Sequence, residues 1–165
     1  MSEPLELPHT PGCLVCGRAN PFGLKLSLFV DPATGFVTVN FRPRAEDIGF
    51  EGIVHGGMIA TIMDEAMVWA ATWTNRRFCV CGELSVRFRR PALVGEPLLL
   101  EARVEFSRPK LVATQATLRS PDRQVVAAGE GKFVPMAAEE SERVMRSFID
   151  DPATNIAAEM LRTRR

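Results

Sequence analysis

The sequence predicts an α+β domain in which one long helix lies against an antiparallel sheet, and three observations carry that prediction. Six short runs alternate apolar and polar residues with period two, and Pro-, Gly- or Asp-containing turns separate them. One stretch, Met58 to about Asn75, is rich in Ala and Met and holds neither Pro nor Gly. The chain has 165 residues, 46 % of them hydrophobic and 24 % charged, the size and balance of a single globular domain. Such a chain buries roughly 70 % of its unfolded surface and needs no metal or disulfide to fold.

Residues 1–23 are rich in Pro and Gly and read as a loop or cap preceding a core over 24–135. Leu24–Phe29 and Phe36–Phe41 alternate on either side of Asp31-Pro-Ala-Thr-Gly35, which predicts a hairpin. Residues 42–55 read as an irregular connection into the helix. Four strands follow it: Val80–Arg89, Leu98–Phe106, Leu111–Arg119 and Gln124–Val134, separated by turns at Pro91–Gly95, Arg108–Lys110 and Pro121–Arg123. The charged tail, 136–165, reads as one or two frayed surface helices broken at Pro152.

At 100° per residue, Ile59, Ile62, Met63, Ala66, Ala70 and Trp73 form one stripe of the helix, the face for the sheet. The opposite side carries Ala60, Thr61, Val68, Ala71 and Thr72, with no Lys, Arg or Gln. A second subunit is expected to cover that side, making the protein at least a homodimer or a dimer of dimers.

Asp64 stands out on this helix. Its helical neighbours are Ala60, Met67, Val68 and Ala71, with no cation at i±3 or i±4, and burial of an unpartnered carboxylate is costly. Small side chains around it leave room for a ligand. Glu65, beside Thr61, Trp69 and Thr72, reads as an exposed or cross-subunit charge. His55-Gly56-Gly57 opens the helix, where free N–H groups can bind a carbonyl or anionic oxygen, and Asp64 lies seven residues beyond the second Gly. The ring of His55 could instead cap the helix start.

Cys13-Leu-Val-Cys16-Gly17 resembles half of a zinc knuckle, but Cys79-Val-Cys81 is not the second C-x-x-C that would complete it. His9 and His55 are the only histidines. The cysteines therefore read as small apolar fillers of a closing turn, and no metal site is expected. Twenty basic and twenty acidic side chains leave no net field to collect nucleic acid or an anionic membrane. The opening Met1-Ser-Glu-Pro-Leu-Glu-Leu-Pro lacks the basic and apolar regions of a signal peptide, so a cytoplasmic location with reduced thiols is expected.

Taken together, these residues resemble the hotdog-fold thioesterases, specifically the PaaI-like acyl-CoA thioesterases. The resemblance rests on Gly52-x-Val-His-Gly-Gly-x-x-Ala-Thr-x-x-Asp-Glu-Ala66, on Glu83-Leu-Ser-Val-Arg-Phe-Arg-Arg-Pro91 with Val94-Gly-Glu-Pro97, and on Ala127-x-Gly-Glu-Gly-Lys-Phe133. Cys13-x-x-Cys-Gly-x-x-Asn-Pro-x-Gly-Leu24 is similar to the N-terminal cap of one branch. It implies a helix wrapped by a curved sheet, double-hotdog dimers, and hydrolysis of an acyl-CoA or related thioester at a dimer-interface pocket. Asp64 then falls on the position of general base or nucleophile, Gly56 or Gly57 on the amide that polarises the carbonyl, and His55 on the lining of that turn. Two positions depart from better-studied members. Ile48-Gly49 stands where an Asn or Gln often precedes the turn, and Cys81 where a Ser or Thr faces the carboxylate.

Coenzyme A enters only as part of the substrate, and no other cofactor is implied. Its phosphates would need cations, for which Arg87, Arg89, Arg90, Arg108 and Lys132 are candidates; Arg87 and Arg89 share a face by alternation. Phe50, Met58, Met63, Met67 and Trp69 suggest an apolar acyl pocket. The alternative is a non-catalytic acyl-CoA-binding protein on the same scaffold. A hotdog dehydratase is disfavoured because its catalytic His with a partner carboxylate is not evident.

Overall fold

The computed structural model describes residues 3–163. Its chain order is β1 (Leu5–Glu6), β2 (Leu28–Val30), β3 (Val37–Phe41), β4 (Ile48–Phe50), β5 (Ile53–Val54), α1 (Gly56–Asn75), β6 (Cys79–Phe88), β7 (Leu98–Arg108), β8 (Leu111–Arg119), β9 (Val125–Pro135), α2 (Ala138–Arg146) and α3 (Asn155–Arg162). Seven strands form one antiparallel sheet in the order β1-β2-β3-β7-β8-β9-β6, and β4 and β5 form a separate short ribbon. This is the α+β hotdog arrangement: α1 packs against β3, β6, β7, β8 and β9.

The apolar stripe of α1 seals the core as its periodicity predicts. Ile59, Ile62, Met63, Ala66, Ala70 and Trp73 are all buried against the inward residues of the sheet, among them Leu100, Leu118, Ala127 and Phe133. Met63 fits because β9 presents Gly129 there; a Cβ at Gly129 would lie 3.1 Å from the Met63 Cε. Arg76 ends the helix in the left-handed conformation, φ 57°, and its N–H donates to the Thr72 carbonyl.

Several elements differ from the sequence prediction. The first hairpin pairs only Leu28–Val30 with Val37–Val39, because the N–H groups of Leu24 and Leu26 donate instead to the carbonyls of Leu14 and Val15. The 1–23 segment contributes β1 to the sheet edge. The connection over 42–55 is ordered: a 3₁₀ turn at Ala45–Asp47 leads into the β4–β5 ribbon, reversed at Glu51 and Gly52, both with positive φ.

Over its described residues the tail is not frayed. Pro152 separates α2 from α3 as expected, but Met145, Phe148, Ala157, Ala158 and Leu161 are buried. Burying side chains the size of Met, Phe and Leu contributes about 1.5–3 kcal/mol each, enough to hold two short helices that would not be stable alone. Phe148 packs at 5.9 Å from Trp69, which also meets Phe78 edge-on at 5.4 Å. Ala71 and Thr72, on the side of α1 reserved for a second subunit, are also fully buried within one chain, with Thr72 accepting the Cys79 N–H of β6. The half-exposed remainder of that side is Ala60, Thr61, Asp64 and Val68.

Candidate active site

The helix start is built from three directions. The His55 N–H donates to the Asp47 carbonyl at 2.9 Å, and the Asp47 side chain is itself buried and fixed by the Arg44 guanidinium at 2.9 Å. Gly49 lies against His55, where a Cβ would come within 3.2 Å of the His55 Cα. The ring of Phe88, from β6, covers Gly56 so closely that a Cβ there would meet its Cζ at 3.2 Å. His55 caps the helix: its Nδ1 accepts the Gly57 N–H at 2.9 Å. Of the two glycine amides the sequence offers for an acyl oxygen, Gly57's is therefore engaged. The Gly56 N–H has no partner among the described residues.

Two turns along α1, Asp64 is half-buried and its Oδ1 is buried with no hydrogen-bond partner among the described residues. An unsatisfied buried acceptor costs about 1–3 kcal/mol, which marks a group whose partner comes from outside the chain. Cys81 lies beside Asp64. Burial and the neighbouring Asp64 carboxylate push its thiol up to about 11. A bulge at Gly82 sets this up: Cys81 pairs with Phe133 and Glu83 with Lys132, so one extra residue intervenes. Cys79 and Cys81 thus face the helix, and beyond the bulge Leu84, Val86 and Phe88 do. Alternation unbroken across Gly82 would have turned Cys81 away.

The basic residues are not gathered at Asp64. Arg87 pairs across the ladder with the outward Ala128, and Arg87 and Arg89 project from the face of the sheet opposite α1. There, with Gln115, Thr117 and Glu130, they line a depression of about 130 Å³. Arg90 is tied to Asp122 at 3.1 Å and to the Gln124 side chain at 3.1 Å. Lys132 pairs with Glu83 at 2.8 Å, and the Arg108 guanidinium stacks 5.5 Å from the Phe106 ring. Met63, Met67 and Trp69, expected to line an acyl pocket, are core residues instead, whereas Phe50 is 69 % exposed beside the helix start. A groove of about 950 Å³ between Asn40 and Arg123 and a cavity of about 530 Å³ beneath α2 and α3 contain neither Asp64 nor Gly56.

Glu65 departs most from its expected place. It is neither exposed nor turned toward a partner but covered by the N-terminal loop, where it accepts the Trp69 Nε1–H at 3.0 Å. The Cys13 Sγ lies 3.6 Å from its Oε1. Burial, with a negative Cys13 nearby, pushes the Glu65 carboxyl up to about 7. Cys13 is drawn down to about 5, chiefly by hydrogen bonding from Cys16, whose own thiol is held far above its ordinary range. No sequence signal joined these groups, which stand 52 positions apart.

The comparisons agree with the geometry. Residues 51–127 match the family model of the thioesterase superfamily. Among solved structures, the thioesterase superfamily protein RHA08564 superposes with a TM-score of 0.69 at 27 % identity, over 75 % of this chain and 60 % of that one. The PaaI protein of E. coli, from the phenylacetic acid degradation operon, gives 0.60 at 21 % over 63 % and 75 %. The protein smu.793 of Streptococcus mutans, solved bound to acetyl CoA, gives 0.60 at 20 % over 63 % and 83 %. This chain therefore spans less than two thirds of the RHA08564 chain. No curated protein matches. The resemblance to PaaI-like hotdog thioesterases read from the sequence is borne out.

Proposed function

We propose that this hotdog chain, similar to the thioesterases, hydrolyses an acyl-CoA or related acyl thioester in a pocket shared by two copies of itself. The observation that carries the reading is the pairing of an unsatisfied, half-buried Asp64 with a free Gly56 amide on the same helix. They are too far apart to act together within one chain. Eight residues at ~1.5 Å rise put the Asp64 Cα about 12 Å from Gly56 along the axis. Helix N–H groups point out of the N-terminal end, so an oxygen held there would lie roughly 15 Å from that Cα. A carboxylate, a water and a carbonyl group in contact span only about 10 Å. The acid of one copy with the amide of the other meets the requirement.

The open edge of β6 supports such pairing. Among the described strands β6 pairs only with β9, and Phe88 near its end, 52 % exposed, covers the helix start. In the reaction, the Asp64 carboxylate takes a proton from water as the oxygen attacks the thioester carbon; direct attack by Asp64 is the variant in which the acid is nucleophile. The partner's amide at the position of Gly56 stabilises the tetrahedral oxyanion. The C–S bond then breaks, and the thiolate receives the proton back from Asp64. Products are a carboxylic acid and coenzyme A, and no other cofactor takes part. A cytoplasmic place goes with this reading, and no described helix is long and apolar enough to cross a membrane.

Release of free thiol from a panel of aliphatic and aromatic acyl-CoA esters tests it. Turnover is expected for the wild type, and Asp64→Ala should lose about 10²–10⁴-fold in kcat. Binding of acyl-CoA without release of thiol by the wild type would leave a binding protein on the same scaffold.

A further inference from the structure

We propose that Cys13, Cys16 and Glu65 form a binding site for a soft divalent cation of the zinc class, which fastens the N-terminal loop to the middle of α1. The inference does not depend on the proposed hydrolysis. One donor atom from each of the three residues lies within 4.8 Å of the others. They come from two separate parts of the chain, the turn at 13–16 and the centre of a long helix. The Cys13 Sγ stands 3.6 and 3.8 Å from the two Glu65 oxygens. A tetrahedral ion with metal–sulfur bonds of ~2.3 Å and metal–oxygen bonds of ~2.0 Å separates sulfur from oxygen by about 3.5 Å. Cys13 and Glu65 already stand close to the spacing an ion would impose, and Cys16 lies within 4.8 Å of both.

The surroundings hold them there. The Val15 N–H donates to the Cys13 Sγ at 3.4 Å, and the Gly17 N–H to the Cys13 carbonyl at 3.0 Å. Only glycine fits position 17, since a Cβ would lie 2.4 Å from the Cys13 carbonyl oxygen. Cys16 is buried, and the Trp69 Nε1–H fixes the Glu65 carboxylate by donating to its Oε1 at 3.0 Å, which leaves Oε2, 3.8 Å from the Cys13 Sγ, free to ligate. Such an orienting donor to a ligating group is a recurrent feature of metal sites. No basic side chain is paired with any of the three among the described residues. Two sulfurs and one carboxylate oxygen favour zinc over magnesium or calcium, and leave a fourth position for water or an added ligand.

The sequence offered Cys79 and Cys81 as the completing pair, but the fold places them elsewhere. The Cys79 thiol lies 3.4 Å from the Arg77 carbonyl, and Cys81 sits beside Asp64. Glu65 takes their place.

Titration of the reduced, chelator-treated full chain with Co²⁺ and Zn²⁺ tests the site. The expected result is one ion per chain, a thiolate-to-cobalt charge-transfer band, and protection by zinc of Cys13 and Cys16 from alkylation. Cys13→Ala and Cys16→Ala should abolish the band, and Cys79→Ala should keep it. Glu65→Gln preserves the thiol pair and an acceptor for Trp69, so it separates ligation from packing; zinc affinity should fall at least about 10-fold. A cobalt complex without the thiolate band, or zinc affinity unchanged in Cys13→Ala, would overturn the proposal.

Discussion

The Nδ1 of His55 accepts the N–H of Gly57 at 2.9 Å, two residues on in the chain, and so closes one of the two glycine amides at the helix start. The ring acts as an N-cap, a role usually given to Ser, Thr, Asp or Asn. His55→Ala should therefore lower the free energy of unfolding by about 1 kcal/mol. His55→Asn, which can accept the same N–H, should recover most of it. Urea denaturation of the three proteins checks the pair of outcomes, and equal stability of all three would deny the cap.

Cys81 reports on the charge of Asp64. Its thiol, raised to about 11 by burial and by the carboxylate, is almost wholly protonated at pH 8.5, where an ordinary thiol near 9 is partly ionised. Asp64→Asn removes the negative charge and lets the thiol fall toward its ordinary value. Alkylation at that pH should then speed up several-fold, since only the thiolate reacts. Mass spectrometry after a timed pulse of iodoacetamide resolves Cys81 from the other three cysteines. An unchanged rate would mean that the two groups do not face each other.

A site shared between copies can be tested by mixing two inactive variants. Asp64→Ala removes the acid, and Gly56→Pro removes the amide hydrogen at the first helical position, where proline suits the backbone. Its Cβ presses on the Phe88 ring at 3.2 Å, so native folding of the variant is first checked by circular dichroism. His55 before it already has extended backbone, φ −61° and ψ 130°, as a following proline requires. Each mixed dimer would carry one intact acid–amide pair. Random co-assembly of equal amounts should restore about a quarter of wild-type activity, because half of the dimers are mixed and each has one of two sites. No recovery, with mixed dimers demonstrated by mass, would rule out the shared site.

Arg89 and Arg90 should behave differently although they are adjacent. Arg90, held by Asp122, Ser120 and Gln124, ties the end of β6 to the β8–β9 turn, so Arg90→Ala should lower the melting temperature with KM unchanged. Arg89 lines the outer depression and is a candidate to meet the nucleotide of coenzyme A. Arg89→Ala should raise KM for acyl-CoA several-fold more than for an acyl-pantetheine, with kcat little changed. An equal effect on both substrates would make Arg89 a surface charge only.

What the sequence determined by itself was the element pattern and the two poles of the candidate site. Period-two alternation marks strands wherever one face is buried, so Leu111–Arg119 appears at its observed ends. The Ala- and Met-rich helix and the glycine pair at its start are local features, legible because spacing and propensity are local. Tertiary structure decided what depends on packing across the chain. The bulge at Gly82 chose which way Cys81 points, and alternation placed Arg87 and Arg89 on one face without saying which face lay against the helix. The tail hid its core residues among charges, because Met145, Phe148 and Leu161 acquire a partner surface only once α1 and the sheet exist. Cys13 met Glu65 for the same reason: a contact between positions 52 residues apart leaves no periodicity in either segment, and only the closed fold brings the two together.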